Sequence, residues 1–123
     1  MNKKRDFYNG YEGEPELIII QKNNAGILKT TINLWIGFFD EVMNFVKPNS
    51  NGHWQGIALY YHTEEDWCSQ SPWKHEDKIL FIQQLEFIKI NQPCIESQTI
   101  LMHILDIFKD SISANDEIYF EYD

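Results

Sequence analysis

Apolar and polar positions fall into several distinct rhythms along the chain. The run Leu17, Ile18, Ile19, Ile20 is short, continuous and rich in β-branched side chains, which predicts a strand covered on both faces. Asn23, Asn24 and Gly26 then mark a turn. From about Lys29 to Lys47 the residues Ile32, Trp35, Ile36, Phe39, Val42, Met43 and Val46 recur at three and four, the spacing of an amphipathic helix that Pro48 ends. Leu34, Phe38 and Phe45 widen its apolar arc, leaving Asn33, Gly37, Asp40, Asn44 and Lys47 as the polar face. An arc that wide predicts a helix covered by two other elements.

Further along, Gly56 to His62 alternates, with Ile57, Leu59 and Tyr61 opposite Ala58, Tyr60 and His62, and predicts a second strand. Glu64 to Lys74 has no clean period and reads as a loop leading to Ser71-Pro72, a fair helix start. Between Glu76 and Ile90, Phe81, Ile82, Leu85 and Ile88 suit one helix face, although Leu85 to Ile90 also alternates; helix is the reading adopted. After Gln92-Pro93, Ser97 caps a helix with the stripe Leu101, Ile104, Leu105, Phe108 and Ile112. A turn at Asn115-Asp116 precedes a terminal strand with Ile118, Phe120 and Tyr122 inward and Glu117, Tyr119, Glu121 and Asp123 outward.

Residues 1–15, with Gly10, Gly13 and Pro15, read as an irregular leading segment or arm. The expected order is β-α-β-α-α-β. The simplest solution is an α+β fold, a small mixed or antiparallel sheet with about three α-helices packed against it. At 123 residues the chain is expected to form a single domain, residues 1–123, with a core that needs no staple.

Charge narrows the partners. The chain holds 10 Lys+Arg against 19 Asp+Glu, a net −9. Three of its cations, Lys3, Lys4 and Arg5, lie together, so the rest of the chain is more acidic still and contains no arginine. Phosphate recognition uses arginine forks and basic patches, which argues against direct nucleic-acid binding and for a cationic partner. No stretch approaches the ~20 consecutive apolar residues of a membrane crossing, and no apolar signal core follows the basic start. A cytoplasmic protein is expected, with Cys68 and Cys94 as reduced thiols.

The sequence carries no G-x-S-x-G elbow, Walker loop, Rossmann fingerprint or H-E-x-x-H. His62, Glu64, Glu65, Asp66, Cys68 and His75 match no zinc spacing, so neither metal nor cofactor is expected. His103 falls in the polar stripe Thr99, His103, Asp106, Asp110 and reads as an exposed histidine beside carboxylates. The segment from Tyr60 to Asp77 is the candidate partner-binding site. Tyr60, Trp67 and Trp73 are the aromatic anchors, and Glu64, Glu65, Asp66, Glu76 and Asp77 are the carboxylates that steer a basic partner. Glu76 and Asp77 also suit a helix N-terminus, where the macrodipole favours negative charge. The alternative is a small pocket enzyme or ligand-binding domain with His62 or Asp40 as acid or base.

Trp73, Glu76 and Asp77 followed by Phe81, Gln84 and Leu85, the late helix from Ser97, and the ending Ile118-Tyr119-Phe120-Glu121-Tyr122-Asp123 cover roughly the C-terminal half. In these the chain resembles the small immunity proteins of bacterial contact-dependent growth inhibition and related polymorphic toxin systems. The resemblance implies a non-enzymatic cytoplasmic inhibitor that binds the C-terminal toxin domain of a cell-surface effector, commonly a nuclease. A monomer is the expected state of the chain itself. The basic surface of such a toxin suits the acidic balance of this chain.

Overall fold

A computed structural model of the chain describes residues 3–46, 51–53, 73–74, 77–91 and 98–122. Within them lie strands β1 (Lys3–Phe7), β2 (Glu16–Lys22) and β3 (Leu28–Trp35), helix α1 (Ile36–Asn44), strand β4 (Trp73–Lys74), helices α2 (Lys78–Asn91) and α3 (Gln98–Ala114), and strand β5 (Glu117–Tyr122). The sheet order is β1-β3-β2-β5-β4. β1 runs parallel to β3 and every other pairing is antiparallel, so the sheet is mixed. The α+β class with helices against a small mixed sheet holds; the order of elements does not.

The largest correction concerns residues 29–47. Its first half is strand β3, and only Ile36–Asn44 is helical. Thr30, Thr31 and Ile32 are β-branched in succession, and side chains of that kind pack well on a pleated surface and lose χ1 freedom in a helix. Ile32 and Leu34 turn to the core at alternate positions, while Phe39, Val42 and Met43 continue inward at helical spacing. Two periods meet at Trp35-Ile36, which mimicked one long amphipathic stripe.

Residues 3–7 are likewise not an arm but an edge strand, in register Arg5 to Ile32 and Phe7 to Leu34. Trp73-Lys74 pairs with Phe120-Tyr119, so the helix begins at Lys78 and not at Ser71-Pro72. The expected strand at residues 56–62 lies outside the described residues.

All three helices pack on one face of the sheet. Phe39 of α1, Phe81 of α2 and Phe108 of α3 surround Phe120 of β5 at ring-centroid distances of 5.5, 6.0 and 6.3 Å, mostly edge to face. Leu17, Ile19, Ile32, Leu34 and Ile118 complete the sheet's contribution to the core. In α3 the buried stripe takes in Ile100, Ile107 and Ser111, while Ile112, expected inside, is exposed.

The end of α3 follows from its last residues. Asn115 adopts a left-handed φ of 57°, its N–H reaches Ile112 O at 3.3 Å, and Asp116 N–H reaches Ser111 O at 2.7 Å. This pair of bonds satisfies carbonyls that a helix end otherwise leaves unpaired. The chain is thereby turned back into β5.

Because β3 lies between β1 and β2, the loop joining them must arch over the C-terminal end of β3. Its Tyr11 stacks on Trp35 with centroids 4.8 Å apart and planes 7° from parallel, and Phe38 meets both rings edge-on. Ile36 N–H donating to Pro15 O at 3.1 Å ties the loop to the start of α1.

Candidate functional site

Tyr60, Glu64, Glu65, Asp66, Trp67 and Glu76 lie outside the described residues, as do His62, Cys68, His75 and Cys94. The backbone of Trp73 is placed in β4, opposite Phe120. Asp77 is exposed, and its Oδ1 accepts the Leu80 N–H at 3.0 Å. That is an N-cap, which satisfies one of the unpaired donors at the start of α2. Asp40 is half-buried on α1 and does not line the groove described next. Among the described residues, no group of three or more His, Cys, Asp or Glu could hold a metal ion.

Between α3 and the β1-β3-β2 end of the sheet runs a groove of about 390 Å³, lined by Arg5, Gln21, Lys29, Thr30, Asp106 and Asp110 among others. The register between β2 and β3 slips there, so that Gln21 faces Thr30 and Lys22 faces Leu28. Lys29 is the extra residue of this bulge, and a bulge re-aims a side chain that strict alternation would send to the other face. Its Nζ lies 2.7 Å from Asp116 and 3.4 Å from Asp110. Hydrogen bonding to Asp116 is the main cause of a Lys29 pKa above its ordinary 10.5. Gln21 Nε2 donates to both carboxylates, at 2.8 and 2.9 Å, and Lys78 Nζ donates to the Asp116 carbonyl.

At the groove's other end Arg5 Nη1 donates to His103 Nδ1 at 3.0 Å and lies 3.5 Å from Asp106. Phe7 packs against the imidazole at 5.0 Å. His103 is therefore half-buried and engaged, not the exposed histidine its stripe suggested. The partner that changes its role, Arg5, comes from ninety-eight residues away, and no local window contains it. The cations of this groove thus spend their charge on its own carboxylates.

Opposite the helices the sheet presents a different surface. Cross-strand register sets Asp6, Asn33, Ile18 and Glu121 side by side, with Trp35 and Glu16 paired in the next row. Asp6 and Glu121 are exposed. Asn33 is only 8% exposed; its Nδ2 donates to Glu16 Oε2 at 2.8 Å, and among the described residues its Oδ1 has no hydrogen-bond partner. Among the described residues, helix contact with this face is confined to its Trp35 end, where Gly37 and Phe38 of the first turn of α1 meet the indole. Sequence reasoning missed it because Asn33 and Trp35 were assigned to a helix and Asp6 to a loose arm; the signal was the β-branched run before Asn33.

No protein-family model, curated protein or solved structure matches the chain. Its chemistry therefore has to be read from its own surfaces. Among the described residues, no helix is long and apolar enough to cross a membrane.

Proposed function

We propose that the protein is a non-enzymatic, cytoplasmic inhibitor of the immunity class, which binds and neutralises the C-terminal toxin domain, of nuclease type, of a contact-dependent growth-inhibition effector. The observation that carries this reading is the fate of the positive charge. Arg5, the sole arginine of the chain, is turned onto His103 and Asp106. Lys29 is held by Asp110 and Asp116, Lys74 by Glu117 and Lys109 by Glu86. Lys22 sits 5.3 Å over the Tyr119 ring. Lys4, Lys74 and Lys109 are exposed as well, but they are outnumbered by the exposed carboxylates Asp6, Glu12, Glu14, Asp77, Asp106, Asp110 and Glu121.

A surface with this sign attracts a phosphate-handling cleft electrostatically, and carboxylates of that kind raise the association rate and select against other partners. Tyr60, Trp67 and Trp73, with Glu64, Glu65, Asp66, Glu76 and Asp77, remain the proposed contacts of the middle segment. The sequence resemblance points to the same class of partner.

The test is a pull-down of the tagged chain from its source organism with mass-spectrometric identification, followed by a protection assay. Recovery of the C-terminal domain of a large secreted effector, and survival of cells that co-express it with this chain, is the expected result. Absence of any such domain, in cells shown to express their effector loci, overturns the reading.

A further inference from the structure

We infer that the face of the sheet opposite the described helices, around Asn33, is a binding site for an arginine side chain of the partner. The argument starts from an acceptor without a donor. A buried polar atom in a folded protein nearly always has a partner, and each exception calls for a reason. Asn33 is 8% exposed and its Oδ1 has none among the described residues. Its nearest neighbours are acceptors: Glu16 Oε2 takes the amide's Nδ2 hydrogen at 2.8 Å and Asp6 is the direct cross-strand neighbour on β3's other side; Glu121 lies two strands away beyond Ile18, and the exposed Lys4 stands one row along from Asp6 on the same face. Asp6 Oδ1 accepts the Tyr8 N–H at 2.8 Å, which holds that carboxylate at the strand end.

An amide oxygen with the carboxylates of Glu16 and Asp6 beside it calls for a ligand that is cationic and rich in donors. Guanidinium fits this best, with five N–H donors in a planar fork that matches carboxylates in pairs, whereas an ammonium is a compact point charge. The half-buried Ile18, between Asn33 and Glu121, gives the aliphatic stem of an arginine an apolar seat. Glu16, half-buried above the amide, is the arm that a cation would draw toward itself, opening Asn33 Oδ1.

The biological occupant rests on the inhibitor reading above, but the chemistry of the site is tested without it. The experiment titrates the isotope-labelled full chain with N-acetyl-argininamide and follows backbone and side-chain amides by NMR. Shifts centred on the Asn33 side-chain amide, Glu16, Ile18 and Asp6 are expected, and Glu16→Gln should weaken the titration about tenfold, the factor of one charge-assisted hydrogen bond. Asp6→Asn, at an exposed position, is a second variant that keeps the fold and should weaken binding in the same direction. Shifts spread evenly over acids such as Asp77 and Asp106, equal binding of N-acetyl-lysinamide, or a Glu16→Gln titration indistinguishable from that of the parent chain would each overturn the assignment. A failed titration beside a recovered toxin removes this site alone, whereas a localised titration with no toxin recovered removes the inhibitor reading alone.

Discussion

Gly37 has no side chain because Trp35 occupies the place. A Cβ built on Gly37 would lie 2.4 to 2.6 Å from Cη2, Cζ2 and Cζ3 of the Trp35 indole. Carbon atoms rest about 3.5 to 4.0 Å apart, so Gly37→Ala has to push the ring outward by roughly 1 Å. The ring is not loose: Tyr11 is stacked on it at 4.8 Å and Phe38 meets it edge-on at 5.4 Å. Aromatic pairs of this kind contribute about 0.5–1.5 kcal/mol each, so losing both costs about 1–3 kcal/mol. Against this, alanine is favoured over glycine inside a helix by up to about 1 kcal/mol. The balance makes Gly37→Ala destabilising by about 1 kcal/mol in the parent chain. Once Trp35→Ala has removed the obstacle, only the helix preference remains, and the same substitution should stabilise by up to about 1 kcal/mol. Urea unfolding of all four members of the cycle, followed by far-ultraviolet circular dichroism at constant m-value, measures this change of sign. An effect of the same sign and size in both backgrounds would refute the packing argument.

Phe120→Ala should cost about 3–5 kcal/mol in denaturant unfolding, because the ring is 1% exposed at the junction of all three helices. Asp77→Ala should lower stability by about 1 kcal/mol in the same denaturant unfolding through loss of the α2 cap, with Asp77→Asn nearly neutral. The raised pKa of Lys29 means its contribution is complete below the ordinary 10.5 and lost as pH rises through the folded value. The melting temperature of Lys29→Met should therefore fall less steeply on the alkaline side than that of the parent chain, and parallel curves would show that the ion pair is not felt. In the inhibitor reading, reversing Glu64, Glu65 and Asp66 to lysine should slow association with the toxin and reduce its salt dependence, and unchanged kinetics in a folded variant would move the interface elsewhere.

The elements that sequence reasoning placed well are those whose neighbours in space are also neighbours in period. The stripe of α3 from Leu101 to Phe108 and the alternation of Ile118 and Phe120 each declare one period over enough residues to outvote local noise. The run Leu17–Ile20 is a strand as expected but is not covered on both faces: Leu17 and Ile19 are buried, whereas Ile18 and Ile20, on the face away from the helices, are half-buried. α2 was ambiguous for a physical reason, since Ile79, Phe87 and Ile90 are apolar yet exposed and blur the stripe of Phe81, Leu85 and Ile88. β3 was lost because its strand period runs directly into the helical period of α1, and the apolar residues of both happen to fall three and four apart. β1 is hidden because a short parallel edge strand is recognised only through its partner β3, whose own period merges with that of α1.

The candidate site was hidden by the same error, at one remove. Asp6, Glu16, Asn33 and Glu121 are scattered over almost the whole chain, and only the register of β1, β3, β2 and β5 assembles them. A one-residue slip in that register would exchange Asn33 for Ile32 on this face and place an aliphatic core residue among carboxylates. Alternation enforces the opposite arrangement: the core takes Ile32 and Leu34, so Asn33 and Trp35 must turn to the other side. The helix face meanwhile has its own demand for cations, because Asp116 is buried at the end of α3 and Asp110 stands beside it. The bulge that delivers Lys29 to them, and the edge strand that delivers Arg5 to Asp106, draw positive charge to the packed side of the sheet. The sheet's other face carries Lys4, Lys22 and Lys74 as well, yet it keeps Asp6, Glu16 and Glu121 near an acceptor that no group among the described residues supplies with a donor.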